Sequence, residues 1–234
     1  MSFAVELEEP IGFRRFEDKG YTQGFKRVAG IDEVGRGPLA GPVVAAAVVL
    51  RPKYSNPEIK DSKLLSIKQR EILALVIHEN AADCAIGVVG IDEIDRLNIQ
   101  QASLLAMVKA IAGLARRPDC MLIDGNQAIP AGLFRMAEFS VGVKIYQKTI
   151  VKGDRLCLSI AAASVVAKVA RDAIMLEYDK LYPQYGFARH KGYGCEEHLD
   201  SLRRYGPSPI HRRSFKPVRE ASPQQKDYGP LFET

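Results

Sequence analysis

Apolar positions in this chain fall into short blocks, and the spacing inside the blocks alternates between that of a strand and that of a helix. Residues 28–31 and 43–50 are unbroken apolar runs rich in Val and Ala, the pattern of strands buried on both faces. Residues 82–89 and 120–123 read as further strands, and the alternation through 139–150 predicts one or two more. Between these runs the period lengthens. Ser66 followed by Gln69 is a capping-box pattern that opens a helix to Glu79. Asn98 caps a second helix, with Ile99, Ala102 and Leu105 on its apolar side and an end near Arg116 and Pro118. Ser159 begins a long helix to Lys180, Ala-rich first and charged later, and residues 196–205 form a short one. Residues 1–26 are a polar lead-in without a firm period, and an irregular, proline-bearing tail ends the chain. Strands interleaved with helices, without an internal repeat, make the fold α/β with a helical C-terminal portion.

Composition narrows the class. The chain has 234 residues, 33 Lys plus Arg against 28 Asp plus Glu, 47% hydrophobic and 26% charged residues. Those proportions belong to a globular protein and exclude wholesale disorder. The longest uncharged stretch, 37–50, is too short for a bilayer and carries Pro38 and Pro42. No basic start followed by an apolar stretch opens the sequence, so a secretory signal is not expected and a cytoplasmic location is. Cys84, Cys120, Cys157 and Cys195 are widely spaced and read as reduced thiols, not as a zinc site. The charge is uneven: residues 189–219 hold eight bases and three acids. That suits a polyanionic partner, although a merely solvated basic surface has the same composition.

The acids supply the chemistry. Asp32 and Glu33 close the run at 28–31, and Asp124, followed by Gly125, closes the run at 120–123. Carboxylates at strand ends sit at the rim of the sheet, where α/β folds bind ligands. Crowding several there is costly unless cations or protons offset their repulsion, and Mg²⁺ prefers a few carboxylates together with waters and phosphate oxygens. Each acid taken singly also fits a turn or a helix cap. An internal control helps: Ile91-Asp92-Glu93 repeats Ile31-Asp32-Glu33, but helical spacing without glycine follows it, so Asp92 reads as a helix N-cap. After Glu33 comes Val34-Gly35-Arg36-Gly37-Pro38, where two glycines let the backbone approach a phosphate beside a bidentate donor.

These residues resemble a known family. The string IDEVGRGPLAGPVVAAAVVL (31–50) is similar to the opening signature of the type 2 ribonucleases H, ribonuclease HII. The resemblance continues in family order through DSKLLS (61–66), NIQQASLLAM (98–107), LIDG (122–125), KGD (152–154), SIAAASVVAKVARD (159–172), YGFARHKGYG (185–194) and HRRSF (211–215). It implies a ribonuclease H-like mixed sheet flanked by helices, built from a catalytic domain at 27–180 after an N-terminal extension at 1–26. A basic C-terminal segment at 181–234 would pack on the same domain. It also implies hydrolysis of RNA in RNA–DNA hybrids, including cuts at single ribonucleotides embedded in duplex DNA. Asp32, Glu33, Asp124 and Asp154 would be the metal-binding and catalytic acids, with Mn²⁺ or Mg²⁺ as cofactor. Gly35, Arg36 and Gly37 would grip the backbone around the ribonucleotide, and Tyr193 would contact the 2′-hydroxyl nucleotide and its DNA neighbour. Two departures stand out. Asp124 and Asp154 are 30 residues apart, so a longer excursion is expected within 129–150, and Cys195 stands where much of the family has Thr, which alters a local cap.

The mechanism expected from these residues is metal-assisted phosphodiester hydrolysis, with the glycines after Glu33 bending the strand end so that Asp32 and Glu33 converge. No histidine is needed as a base, and His78, His190, His198 and His211 form no evident pair. His78 is read as lying on an exposed helix, and His190 and His211 as contacting phosphate or packing locally. The 2′-hydroxyl is then a recognition handle, and the products carry 5′-phosphate and 3′-hydroxyl ends. Lys152, Lys168, Arg171, Arg189, Lys191, Arg212 and Arg213 are candidate phosphate contacts. A metal-dependent phosphatase and an inactive nucleic-acid-binding module are the competing readings. The basic region and Tyr193 disfavour the first, and the four acids disfavour the second. Tyr228-Gly229-Pro230-Leu231-Phe232 is read as a surface anchor or as a docking peptide for a replication clamp.

Overall fold

A computed structural model describes residues 13–60, 65–137 and 145–221. The elements in order are helix α1 (Arg15–Thr22), strands β1 (Val28–Val34) and β2 (Val43–Leu50), helices α2 (Pro57–Lys60) and α3 (Ile67–Asn80), strand β3 (Ala81–Val89), and helices α4 (Ile91–Leu97) and α5 (Ile99–Ala112). There follow β4 (Cys120–Asp124), α6 (Ala131–Met136), β5 (Tyr146–Ile150), the long α7 (Leu158–Leu181), and α8 (Phe187–His190), α9 (Glu196–Tyr205) and α10 (Lys216–Ala221). Short 3₁₀ turns lie at Gly153–Arg155 and Pro183–Tyr185.

The strands make one mixed sheet in the order β3-β2-β1-β4-β5. β1 pairs antiparallel with β2, and β2 with β3, whereas β1–β4 and β4–β5 are parallel. Every residue of β2 is buried, because the strand is covered on both faces. Val43, Ala45, Ala47 and Val49 join α5 in one core, while Ala46, Val48 and Leu50 join α3 and α7 in another. That two-sided cover is why β2 reads as a continuous apolar run. Gly30 lets α7 lie directly on β1: a Cβ there would stand 2.2 Å from the Ser159 carbonyl carbon.

Three local readings change. Residues 15–22 form a helix, anchored by a contact distant in sequence: Glu17, only 1% exposed, accepts the Ser159 N–H at 2.6 Å and the Cys157 thiol at 3.2 Å. A carboxylate thereby caps the N-terminus of α7, where the helix dipole favours negative charge. Asp92 is not the N-cap of α4. Gly90 holds that position, and its N–H donates to Glu93 at 3.4 Å, with Asp92 inside the first turn. Helix α5 stops at Ala112 with Gly113 as C-cap, short of the end near Arg116 read from the sequence. The Ser66–Gln69 capping box and the Asn98 cap are present. Cys195 occupies the N-cap of α9 without a side-chain cap hydrogen bond. All four cysteines are free thiols. No helix among the described residues is long and apolar enough to cross a membrane. Residues 1–12, 61–64, 138–144 and 222–234, which include most of the DSKLLS segment and Tyr228 to Phe232, lie outside the described residues.

Candidate active site

Parallel pairing sets the position of the two strand-end aspartates. Ile31 pairs with Ile123, so Asp32 and Asp124 are the next residues along neighbouring strands. Parallel strands lie about 4.8 Å apart and residues in register share a face. Ile31 and Ile123 both face the α5 core, which puts Asp32 and Asp124 on the α7 side. Asp32 is buried, and the Ser164 hydroxyl of α7 hydrogen-bonds its carboxylate. Its Oδ1 accepts the Glu33 N–H at 2.8 Å. Asp124 Oδ1 accepts the Gly153 N–H at 2.7 Å, which ties the Gly153–Arg155 turn, and Asp154 with it, to the end of β4.

Glu33 lies just before the turn. β1 stays paired with β2 as far as Val34, so the strand does not bend before Glu33. The chain turns only at Gly35, whose φ of 96° is left-handed and whose missing Cβ would fall 2.2 Å from Arg171 Nε. Arg36 then folds back and donates to Glu33 Oε1 at 3.1 Å. Among the described residues, no three His, Cys, Asp or Glu side chains are gathered closely enough to hold an ion as they stand.

The acids nevertheless share one electrostatic environment. Burial, then Glu33 and Asp124, push the Asp32 carboxyl well above its ordinary range. Glu33 is raised by burial and by Asp124 against the opposing pull of Arg36. Asp124 is raised by burial and by Asp154, although the Gly153 N–H counteracts this. Three carboxyls that resist ionisation at one sheet edge, offering oxygen donors alone, fit a hard divalent cation, which supplies the positive charge the protein withholds.

Beside the acids, two loops are sewn together. Arg171 and Arg212 are both fully buried, and their guanidinium groups point at backbone carbonyls. Arg171 donates to Pro42 at 3.0 Å, Lys191 at 3.0 Å and Ala40 at 3.1 Å. Arg212 donates to Gly41 at 2.9 Å, Arg36 at 3.1 Å, Gly35 at 2.6 Å and Pro42 at 3.2 Å. The Pro42 carbonyl therefore joins both arginines, and together they fix the Gly35–Arg36–Gly37 turn to the Lys191–Tyr193 turn. Leu39 N–H donates to the Gly192 carbonyl at 2.8 Å along the same seam. A Cβ on Gly37 would stand 3.5 Å from Tyr193 Cε1, so the exposed Tyr193 ring lies against the glycine turn.

This burial corrects the expected phosphate contacts of Arg171 and Arg212, which brace backbone instead of facing solvent. Lys191 is 9% exposed and its Nζ donates to the Ala188 carbonyl, so its ammonium also turns inward. Lys168 keeps a partly exposed side chain and pairs with Asp172 at 2.5 Å. His190 and His211 pack locally, and His78 is exposed on α3. The sequence reading missed a histidine pair: His198 Nε2 and His211 Nε2 are 2.9 Å apart. The HRRSF string already flagged His211 and Arg212, but nothing in one sequence tells a buried brace from a surface cation.

A family model described as Ribonuclease HII matches residues 29–218. A Ribonuclease HII of Syntrophobacter fumaroxidans is 56% identical over 204 residues, covering 87% of this chain and 82% of that protein. Among solved structures, the ribonuclease H2 from Pyrococcus horikoshii superposes with a TM-score of 0.66 at 28% identity, covering 84% of this chain and 97% of that one. A second, in a PCNA:RNase HII complex from Archaeoglobus fulgidus, gives a TM-score of 0.62 at 27% identity over 80% of this chain and 92% of the other. The acid edge, the glycine turn and these matches agree, and the chain belongs to the ribonuclease HII family as a type 2 ribonuclease H enzyme.

Proposed function

We propose that this chain cuts the phosphodiester on the 5′ side of a ribonucleotide, both in RNA–DNA hybrids and where a single ribonucleotide is embedded in duplex DNA. The coarser part, endonuclease action on RNA in RNA–DNA hybrids, follows from the family. The observation that carries the finer part is the adjacency of Asp32 and Asp124 in register, with the Gly35–Gly37 turn and the Tyr193 ring held beside them.

Asp32, Glu33, Asp124 and Asp154 would hold divalent cations, Mn²⁺ or Mg²⁺, which when bound supply the charge that activates water and stabilises a leaving oxygen. The chain's own residues do the rest. The backbone of Gly35 and Gly37 and the exposed Arg36 side chain receive the phosphate next to the ribonucleotide. Arg36 pairs with Glu33 in the free protein, so engaging a phosphate releases that carboxylate. Tyr193 lays its ring against the sugar and offers its hydroxyl to the 2′-OH, the group by which a protein tells RNA from DNA. Exposed Lys152, Arg189 and Arg213, with Lys168, extend the contact to flanking phosphates.

The test is a duplex carrying one ribonucleotide, incubated with Mg²⁺, Mn²⁺ or EDTA. Cleavage 5′ of the ribonucleotide, with 5′-phosphate and 3′-hydroxyl ends and only with metal, is expected. A 2′,3′-cyclic phosphate would refute the reading. The clamp-docking reading of residues 228–232 finds support in the Archaeoglobus protein's complex with PCNA.

A further inference from the structure

Three histidines lie under the Tyr193 turn in one stack. His190 and His198 are parallel with ring centroids 4.6 Å apart, and His198 and His211 follow at 5.1 Å. Phe187 stands edge-on to His198 at 5.5 Å, and Tyr185 lies 4.9 Å from His211. His198 and His211 are buried, whereas the Tyr193 side chain above them is 46% exposed.

The hydrogen bonds allow one arrangement of protons. His211 Nδ1 receives the Ser208 N–H at 2.9 Å and lies 2.8 Å from the Ser208 hydroxyl, which can turn its proton toward the ring, so that nitrogen is an acceptor and the proton sits on Nε2. His211 Nε2–H then donates to His198 Nε2 at 2.9 Å. The His198 proton is left on Nδ1, which donates to the Tyr193 carbonyl, also at 2.9 Å. The reverse direction would set two donors against each other at Ser208 and two acceptors against each other at Tyr193. The neighbouring His190 is fixed in the same manner, with Nδ1 accepting the Gly192 N–H at 3.2 Å and Nε2–H donating to the Tyr185 carbonyl at 2.9 Å. Each of the six ring nitrogens therefore has a partner, which leaves none to bind a metal.

We propose that His198 and His211 form a one-way hydrogen-bond relay from Ser208 to the Tyr193 carbonyl, and that both are positioning residues for ribonucleotide recognition. The proposal rests on the reading of Tyr193 as the ribonucleotide contact. The Tyr193 carbonyl also accepts the Cys195 N–H at 2.9 Å, and the Tyr193 N–H reaches the His190 carbonyl at 3.0 Å. The relay is thus a direct side-chain link from this turn to the 208–211 segment, and through the adjoining Arg212 to the glycine turn. Burial supports neutral rings, since it lowers the affinity of His198 and His211 for a second proton to about pKa 4 and about pKa 3.

The experiment compares His198→Phe, His198→Gln, Tyr193→Ala and the His198→Phe/Tyr193→Ala double variant in the full chain. Each is assayed on a single-ribonucleotide duplex and on a hybrid with a long RNA tract. A small displacement of a positioning group costs roughly 10- to 100-fold in rate. His198→Phe is therefore expected to lower kcat on the single ribonucleotide by about that factor while KM changes little. His198→Gln, whose amide can accept from His211 and donate to Tyr193, is expected to recover most of it. In the Tyr193→Ala background His198→Phe is expected to add nothing. Independently of activity, imidazole ¹⁵N shifts of the wild-type chain are expected to place the protons on His198 Nδ1 and His211 Nε2. An undiminished effect of His198→Phe in the Tyr193→Ala background, or the opposite tautomers, overturns the relay. If Tyr193→Ala alone leaves single-ribonucleotide cleavage intact, the reading of Tyr193 fails, and the ¹⁵N tautomers still decide whether the relay exists. The same spectrum decides if His198→Phe does not fold.

Discussion

Two neighbouring regions of this molecule concentrate like charge, and they resolve it in opposite ways. At the C-terminal edge of β1 and β4, carboxyls crowd with few protein donors, and burial with mutual repulsion raises Asp32, Glu33 and Asp124. Behind the Gly35–Gly37 turn, two buried guanidinium groups lie close enough that Arg171 contributes, after desolvation, to lowering Arg212 to about 9. There, seven hydrogen bonds to carbonyls enclose the charge. The second region is complete as folded, and the first keeps its carboxyls raised against one another. Under the proposed reading, a site for cations leaves its carboxyls crowded, while the brace gives every guanidinium nitrogen a carbonyl partner.

The largest expected effect separates the two directly. Asp32→Asn removes a carboxylate where charge is to be neutralised, and losses of about 10³-fold in rate accompany removal of such an electrostatic group. Because the aspartate is buried among like charges, the same change should leave thermal stability unchanged or raise it in EDTA. Cleavage assays beside melting curves check both halves, and a large loss of stability would break the comparison. Arg212→Met inverts the pattern. It strands the carbonyls of Gly35, Arg36 and Gly41, while Pro42 keeps its bond from Arg171, and each buried acceptor left unsatisfied costs about 1–3 kcal/mol. Urea unfolding should show that loss, and Arg212→Lys, with one ammonium in place of a fork, should recover only part of it.

The difference also explains what could be read from one sequence. The acid edge was legible because a carboxylate that ends an apolar run is anomalous in itself. β2 was legible because full burial makes a long apolar run, and β1, β4 and the start of α7 by their shorter buried runs. The Gly35–Gly37 turn was legible by its glycines. The braces were not: Arg171 and Arg212 look like surface cations until the fold closes over them, and their partners are backbone carbonyls, which leave no trace in residue identity. Helix α1 escaped for a related reason. Its anchor, Glu17, meets Ser159 across 142 residues, a contact no local period encodes.

The smallest expected effect is a pH response in which the two kinds of region oppose each other. His198 and His211, with folded values of about 4 and about 3, must gain protons to unfold. A depressed folded value gives stability that is present above the unfolded value of about 6.5 and is lost as pH falls towards the folded values. His190 is lowered as well, chiefly by burial, with Arg189 and Lys191 adding to it and Asp179 opposing. The raised carboxyls act in the other sense, because their destabilisation is relieved as pH falls through their folded values. Between pH 7 and 5.5 the two buried histidines alone should remove roughly 2–3 kcal/mol, the linkage slope for two protons near their unfolded value. Melting curves in EDTA over that range should show the decline, and His198→Phe should flatten it. Because the carboxyls oppose the histidines, the comparison is decisive: identical pH profiles for the wild type and His198→Phe would mean that the pair is already charged in the folded protein, and the one-way arrangement of its protons would then be excluded.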